Sequence, residues 1–246
     1  MRRWLRQRRE LREALARHAA REAAARAALE RGAAHVGTER DAHELLAAAA
    51  REDLDGWERI APGRWTRPLA DGIRALLGLE RMKGTAYRIN WGLSLAWVPH
   101  MTSTGTSLHR TARSAHRDLW EDGPELVHHY LVDAVVYVPA EVRDAWLEAR
   151  PAAQAFWAAA TSPDAVLATA ERQVAEDGWA MTVHYPSPLY VVAFTQARLG
   201  LADEARASLE RELEKFYLYL PPAWDHPKAR ERLETALARV LREGSG

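Results

Sequence analysis

Residues 87–97 alternate strictly. Tyr87, Ile89, Trp91, Leu93, Leu95 and Trp97 are large and apolar on one parity, and Arg88, Asn90, Gly92, Ser94 and Ala96 are small or polar on the other. A period of two reads as a β-strand with one greasy face. So many large side chains on a single face belong in a core. The opposite face reads first as the solvated side of an antiparallel sheet, and second as a partner surface. Small residues there also let another backbone or a flat ligand approach closely. Upstream, Pro62-Gly63, Asp71-Gly72 and Lys83-Gly84 are turn signals that separate short alternating segments around Trp65 and Arg67 and from Ile73 to Leu79. The pattern predicts an antiparallel meander.

Elsewhere the period is helical. Residues 2–31 consist largely of Ala, Arg, Leu and Glu, with neither Gly nor Pro until Gly32. That composition predicts one long helix with a glycine stop. Trp4, Leu11, Leu15, Ala25 and Leu29 form a thin stripe on it, broken by Arg8, His18 and Glu22. Residues 32–40 read as a linker, and Thr38 with Asp41 as the N-cap of a second helix running to about Asp53. A loop is expected over residues 101–106 and a helix over 107–121. Residues 126–138 fit a helix in their first half and a buried strand at Ala134–Val138. From Glu141 onward five helical segments are predicted, near 141–160, 163–176, 187–199, 202–218 and 227–242, with Pro163, Pro188 and Pro227 at first-turn positions. Ala193, Ala197, Gly200 and Ala205 are spaced like the crossing of a tetratricopeptide-type helical hairpin.

The predicted fold is therefore α+β: a small antiparallel sheet of three to five strands flanked by helices, a helical C-terminal half with that hairpin, and a long basic N-terminal helix. Its expected domains are a basic arm over residues 1–35, an α+β domain over 36–185, and a C-terminal helical hairpin plus last helix over 186–246.

Charge sharpens this picture. The chain of 246 residues is formally neutral, with 34 Lys and Arg against 34 Asp and Glu. Residues 1–31 hold ten Arg and four Glu, a net of +6, which leaves −6 for the remainder. A basic arm on an acidic body is a docking signal. The absence of cysteine removes disulfides, thiolate nucleophiles and Cys-ligated metals from consideration. No apolar run approaches the length of a membrane helix, and the Arg-rich start lacks the apolar stretch of a secretory signal, so a cytoplasmic protein is expected.

Residues 56–93 resemble an uncharacterised bacterial family, one of the domains of unknown function. The matching pieces are Gly56-Trp57, Trp65-Thr66-Arg67, Asp71-Gly72-Ile73 and Tyr87-Arg88-Ile89-Asn90-Trp91-Gly92-Leu93. The basic arm and the Leu79-Glu80-Arg81 end of the third strand depart from the family pattern. The resemblance implies a helix, then antiparallel strands, then helices, and it implies no catalytic residues.

Candidate chemistry is sparse. Glu125, His128, His129 and Asp133 are spaced i, i+3, i+4 and i+8, and on a helix Glu125, His129 and Asp133 would share a face and offer metal ligands, although a functional carboxylate-bridged site uses a second such set. There is neither a phosphate-binding glycine motif nor a nucleophile elbow, so no cofactor is expected. Arg2, Arg3, Arg6, Arg8, Arg9 and Arg12 are candidate binding residues on the arm, and Arg67, Arg88 and Asn90 beside the small face of the sheet. The favoured reading is a non-enzymatic interaction protein, a binding, adaptor or immunity/defence-type module acting through a protein partner or self-association. One alternative is nucleic-acid binding through the Arg-rich helix, which predicts steep salt dependence. Another is a metal-assisted hydrolase built on Glu125, His128, His129 and Asp133.

Overall fold

The computed structural model describes residues 2–35, 38–82, 86–101, 106–107, 111–131, 134–176, 187–219 and 226–244. Among them the order is α1 (Arg2–Glu30), β1 (Ala34–His35), α2 (Glu39–Ala49), β2 (Glu58–Ala61), β3 (Arg64–Ala70), β4 (Ile73–Arg81) and β5 (Tyr87–Leu95). Two short strands, β6 (His100–Met101) and β7 (Thr106–Ser107), follow, then β8 (Leu119–Glu125), β9 (His129–Leu131) and β10 (Ala134–Tyr137). Five helices complete the chain: α3 (Pro139–Ala159), α4 (Pro163–Glu176), α5 (Pro188–Arg198), α6 (Ala202–Tyr219) and α7 (His226–Gly244). The fold is α+β, with a five-stranded antiparallel sheet ordered β2-β3-β4-β5-β8 and a helical C-terminal half. The meander β2 to β5 turns where Pro62-Gly63 and Asp71-Gly72 predicted; Gly72 takes φ +69°, a conformation that β-carbons disfavour. The turn at Lys83-Gly84 and most of the loop over 101–106 lie outside the described residues.

The chain divides into two compact units. The first comprises Met1–Asp55, Gly78–Ile89 and Asp122–Pro151. In it, β1, β10 and β9 form a second sheet, in that order, with Ala34 opposite Tyr137 and Val136 opposite His129. Helix α2 begins as expected: the Thr38 hydroxyl accepts from the Asp41 amide, and Asp41 Oδ2 accepts from the Thr38 amide at 2.9 Å. The core contains Leu46, Tyr87, Tyr137, Val142 and Trp146. Trp146 buries its ring and donates its indole N–H to Asp53 Oδ2 at 2.8 Å, which satisfies the one polar atom the ring carries.

The second unit comprises Gly56–Leu77, Asn90–Glu121 and Ala152–Gly246. Helix α5 is its hub. Every residue from Leu189 to Ala197 is buried, so this helix is apolar nearly all round, and α4, α6 and α7 pack on it. The α5–α6 hairpin turns at Gly200, with Ala193, Ala197 and Ala205 fully buried. Indole donors again find acceptors: Trp97 to the Thr195 hydroxyl at 3.1 Å, and Trp157 to the Gly92 carbonyl at 3.2 Å.

Three sequence expectations are corrected. The small parity of β5 does not face water: Asn90, Gly92 and Ser94 are buried. Ser94 Oγ accepts the His116 amide at 3.1 Å, and a β-carbon on Gly92 would come within 2.5 Å of the Leu119 carbonyl oxygen and 2.9 Å of the Trp120 β-carbon. The small residues are there because neighbouring chain approaches closely. Secondly, the described residues of 107–121 do not form an α-helix: a 3-10 turn at Ala112–Ser114 precedes β8, whose start is fixed by the Asp118 amide donating to the Leu93 carbonyl at 2.8 Å. Finally, in the ambiguous segment 126–138 the first half holds strand β9 at His129–Leu131 and no described helix, while β10 at Ala134–Tyr137 is the buried strand expected; Ala34–His35 of the linker is strand as well, because β1, β9 and β10 satisfy one another's backbone groups.

Overpacking at the close approach sets the first prediction. Gly92→Ala is expected to cost about 2–3 kcal/mol of unfolding free energy, and Ser94→Ala about 1 kcal/mol. Urea unfolding followed by tryptophan fluorescence measures both; an unchanged midpoint for Gly92→Ala would contradict the close approach.

Candidate interaction surface: the N-terminal helix and its anchor

Helix α1 is made of good helix formers, yet it buries almost nothing along most of its length. Residues 8–21 are all exposed. Fourteen helical residues span about 21 Å. Some of its charge is spent locally: Arg9 Nε lies 2.9 Å from Glu13 Oε1, and Arg17 and His18 each sit 4.0 Å from Glu13 and Glu22 respectively. Exposed i,i+4 pairs of this kind add only a few tenths of a kcal/mol each. The helix also carries two leucines in water, Leu11 at 60% exposure and Leu15 at 62%, one turn apart.

The C-terminal end of α1 is different. Ala25 and Ala28 are fully buried, and Ala28 packs with Val136 of β10 and with Val138. Alanine is the side chain that lets a helix backbone approach a sheet so closely. Arg31 donates to Glu141 Oε1 at 3.0 Å, and His129 Nε2 lies 2.9 Å from Glu141 Oε2. Glu141 thus joins the chain just after α1, strand β9 and the first turn of α3, where a carboxylate is favoured by the helix dipole. The Arg21 guanidinium stacks 5.9 Å from the Tyr130 ring centroid, and the Tyr130 hydroxyl lies 2.9 Å from His128 Nε2. Beneath this runs an aromatic row: the rings of His128 and Tyr137 are 6.0 Å apart, of Tyr137 and Tyr87 6.2 Å, and of Tyr87 and His43 6.3 Å. Burial pushes the Tyr137 phenol well above its ordinary value, with Tyr87, Tyr130 and Glu125 adding to the shift. Tyr87 moves the same way, chiefly by burial.

No protein-family model, curated protein or solved structure matches this chain.

The predicted site residues separate as follows. Arg2, Arg3 and Arg6 lie in α1, with side chains outside the described residues, while Arg8, Arg9 and Arg12 are exposed on it. Arg88 is tied to Asp122 at 2.8 Å. Asn90 is buried inside the second unit. Arg67, in that same unit, stacks 5.0 Å over Trp57, whose ring meets Trp157 edge-on at 4.9 Å. Arg67 and Arg88 are half-buried, so of these three only Asn90 is enclosed.

The metal set is corrected too. Its geometry required a helix, and Glu125, His128 and His129 instead lie at the end of β8, in the connection and on β9, with His128 and His129 turned to Tyr130 and Glu141. Asp133 lies outside the described residues. Among the described residues no group of three or more His, Asp or Glu is placed to hold a metal ion, and no helix is long and apolar enough to cross a membrane. Glu141 and Tyr130, which complete the anchor, carried no motif; an acid in the first turn of a Pro-started helix was their only trace.

Two outcomes are expected. Glu141→Gln removes the charge shared by Arg31 and His129, so amide exchange at Ala34 and His35 should accelerate while that of α5 stays unchanged. For the tyrosines, the folded pKa is raised, so the unfolded chain ionises first as pH passes about 10. Stability is whole below that pH and falls above it. Urea midpoints between pH 8 and 11.5 should show this loss, and Tyr137→Phe should reduce it; an identical alkaline slope in the variant would contradict the assignment.

Proposed function

We propose that the protein is a non-enzymatic interaction module that docks a partner protein along α1. The observation that supports this reading best is the contrast along one helix. Its C-terminal end is pinned by Arg21, Ala25, Ala28 and Arg31, while residues 8–20 are exposed, Leu11 and Leu15 among them. An exposed apolar i,i+4 pair on a pre-formed helix is how helix-in-groove recognition is built. Because the helix is already formed and fixed at one end, a partner loses little ordering entropy on binding it.

The partner's chemistry follows from charge. Residues 1–31 carry ten Arg and four Glu, so the complementary surface is acidic around an apolar groove. Such charges chiefly raise the association rate and enforce orientation, while the leucines supply the desolvated contact. A cytoplasmic setting and an adaptor or immunity-type role belong to the same proposal. The nucleic-acid alternative draws on the spread of arginines around the helix, but it gives Leu11 and Leu15 no role.

The test compares the full chain with Leu11→Glu/Leu15→Glu in capture from nuclease-treated lysate, with bound proteins identified by mass spectrometry. The expected result is a defined partner protein retained by the full chain and reduced at least tenfold by the double substitution, with circular dichroism unchanged. Capture confined to nucleic acid, weakening steeply with salt and indifferent to the leucines, would replace this reading with the alternative.

A further inference from the structure

Helix α7 presents a second charged feature, independent of the arm. Lys228, Arg232, Thr235, Arg239 and Arg242 recur at steps of four, three, four and three residues. That spacing stacks them on one stripe of a helix, about 21 Å from end to end. Lys228, Thr235, Arg239 and Arg242 are exposed and Arg232 is half-buried. The stripe forms one wall of an open cleft of about 570 Å³, and Thr106 of β7 contributes to the lining. Among the described residues of the lining, Glu231 is the one acid beside four cations, and Glu243 outside it pairs with Arg239 at 2.9 Å, on a chain whose residues beyond 31 are net −6.

A second observation points the same way. Thr106 Oγ1 is buried and has no hydrogen-bond partner among the described residues. A buried hydroxyl left without a partner costs free energy, and this one belongs to a residue that lines the basic cavity. The wall itself is firmly held. Ala229, Leu233, Ala236, Leu237 and Val240 bury the neighbouring face of α7. Gly244 ends the helix against α5, where a β-carbon would come within 2.5 Å of the Arg198 carbonyl oxygen. Arg230, on another face of α7, is committed to Glu234 and Glu210.

We infer that this cavity is a binding site for a small ligand carrying two or more phosphate groups. Its volume lies within the range of small-molecule sites. Guanidinium forks match phosphate oxygens bidentately, and a lysine adds a point charge. The cations form two groups, Lys228 with Arg232 and Arg239 with Arg242, whose nearer members are seven residues, about 10 Å, apart along the axis. That separation suits a ligand with an anionic group toward each end, with the Thr106 hydroxyl donating to one of them.

Isothermal titration calorimetry of the full chain tests this, with inorganic pyrophosphate and tripolyphosphate as probes and a single-stranded oligonucleotide alongside. Saturable binding near one equivalent is expected, tighter for tripolyphosphate. Arg232→Ala/Arg239→Ala should weaken it about tenfold or more, and Arg230→Ala should leave it unchanged. Thr106→Val should weaken binding severalfold without lowering the thermal midpoint, since no described residue bonds the hydroxyl. Absence of binding at millimolar phosphate would overturn the inference. So would an equal loss in Arg230→Ala, which would mark diffuse charge attraction, or binding of the oligonucleotide alone, which would mark an extended nucleic-acid track.

Discussion

The second unit depends on how closely its chain can approach Gly92. The backbone of β8 passes so near that only hydrogen fits there, and the Trp157 indole uses the Gly92 carbonyl as its acceptor. Strand β5 is therefore enclosed on both parities. Once neither face can reach water, its polar groups must be paired internally: Ser94 by the His116 amide, and the Leu95 amide by Asp118 Oδ2 at 2.8 Å. The tryptophans around this strand bring large apolar area together with one donor each, and those of Trp91, Trp97 and Trp157 are met by Glu121, Thr195 and Gly92. Close packing and donor satisfaction thus act as one constraint, and it turns a surface suggested as open by its small residues into interior.

In the first unit the deciding element is ionic. Glu141 accepts from Arg31 on one oxygen and lies against His129 on the other. Its partners are partly exposed, so the direct energetic gain is modest. Its importance is geometric. The pair fixes where α1 leaves the sheet, immediately before β1 adds its two residues beside β10. A helix that would be only marginally stable in isolation acquires a rooted end, and the remainder projects with its charge and its two leucines available.

Much of the fold was legible in the residues. The period of two in β5, the Pro-Gly and Asp-Gly turns, the Thr38/Asp41 capping box and the proline starts of the C-terminal helices are local signals, and each marked its element, although α2 ends at Ala49 where about Asp53 was expected. The failures share a cause. Residues 107–121 and 126–131 hold no strong local preference, and became turn and strand because distant segments needed hydrogen-bonding partners. The same long-range pairing dissolved the Glu125/His128/His129 spacing, which had meaning only on a helix. Arg88 and Asn90 were legible as polar positions on one parity, but not as a carboxylate-paired cation and a buried amide, because burial belongs to what packs above a strand and not to the strand's own pattern.

By itself the sequence determined where helices and the central strands lie and the separation of charge into a basic arm and an acidic remainder, since propensity, periodicity and charge are properties of neighbouring residues. Only the tertiary structure decided which faces are covered and which residues meet: that Gly92 marks an approach of two backbones, that Glu141 roots the arm, and that Thr106 lines a cleft with the basic stripe of α7, 122 to 136 positions further along the chain. Those contacts are set by the packing of segments far apart in sequence, and no local pattern encodes a neighbour that the chain must fold to reach.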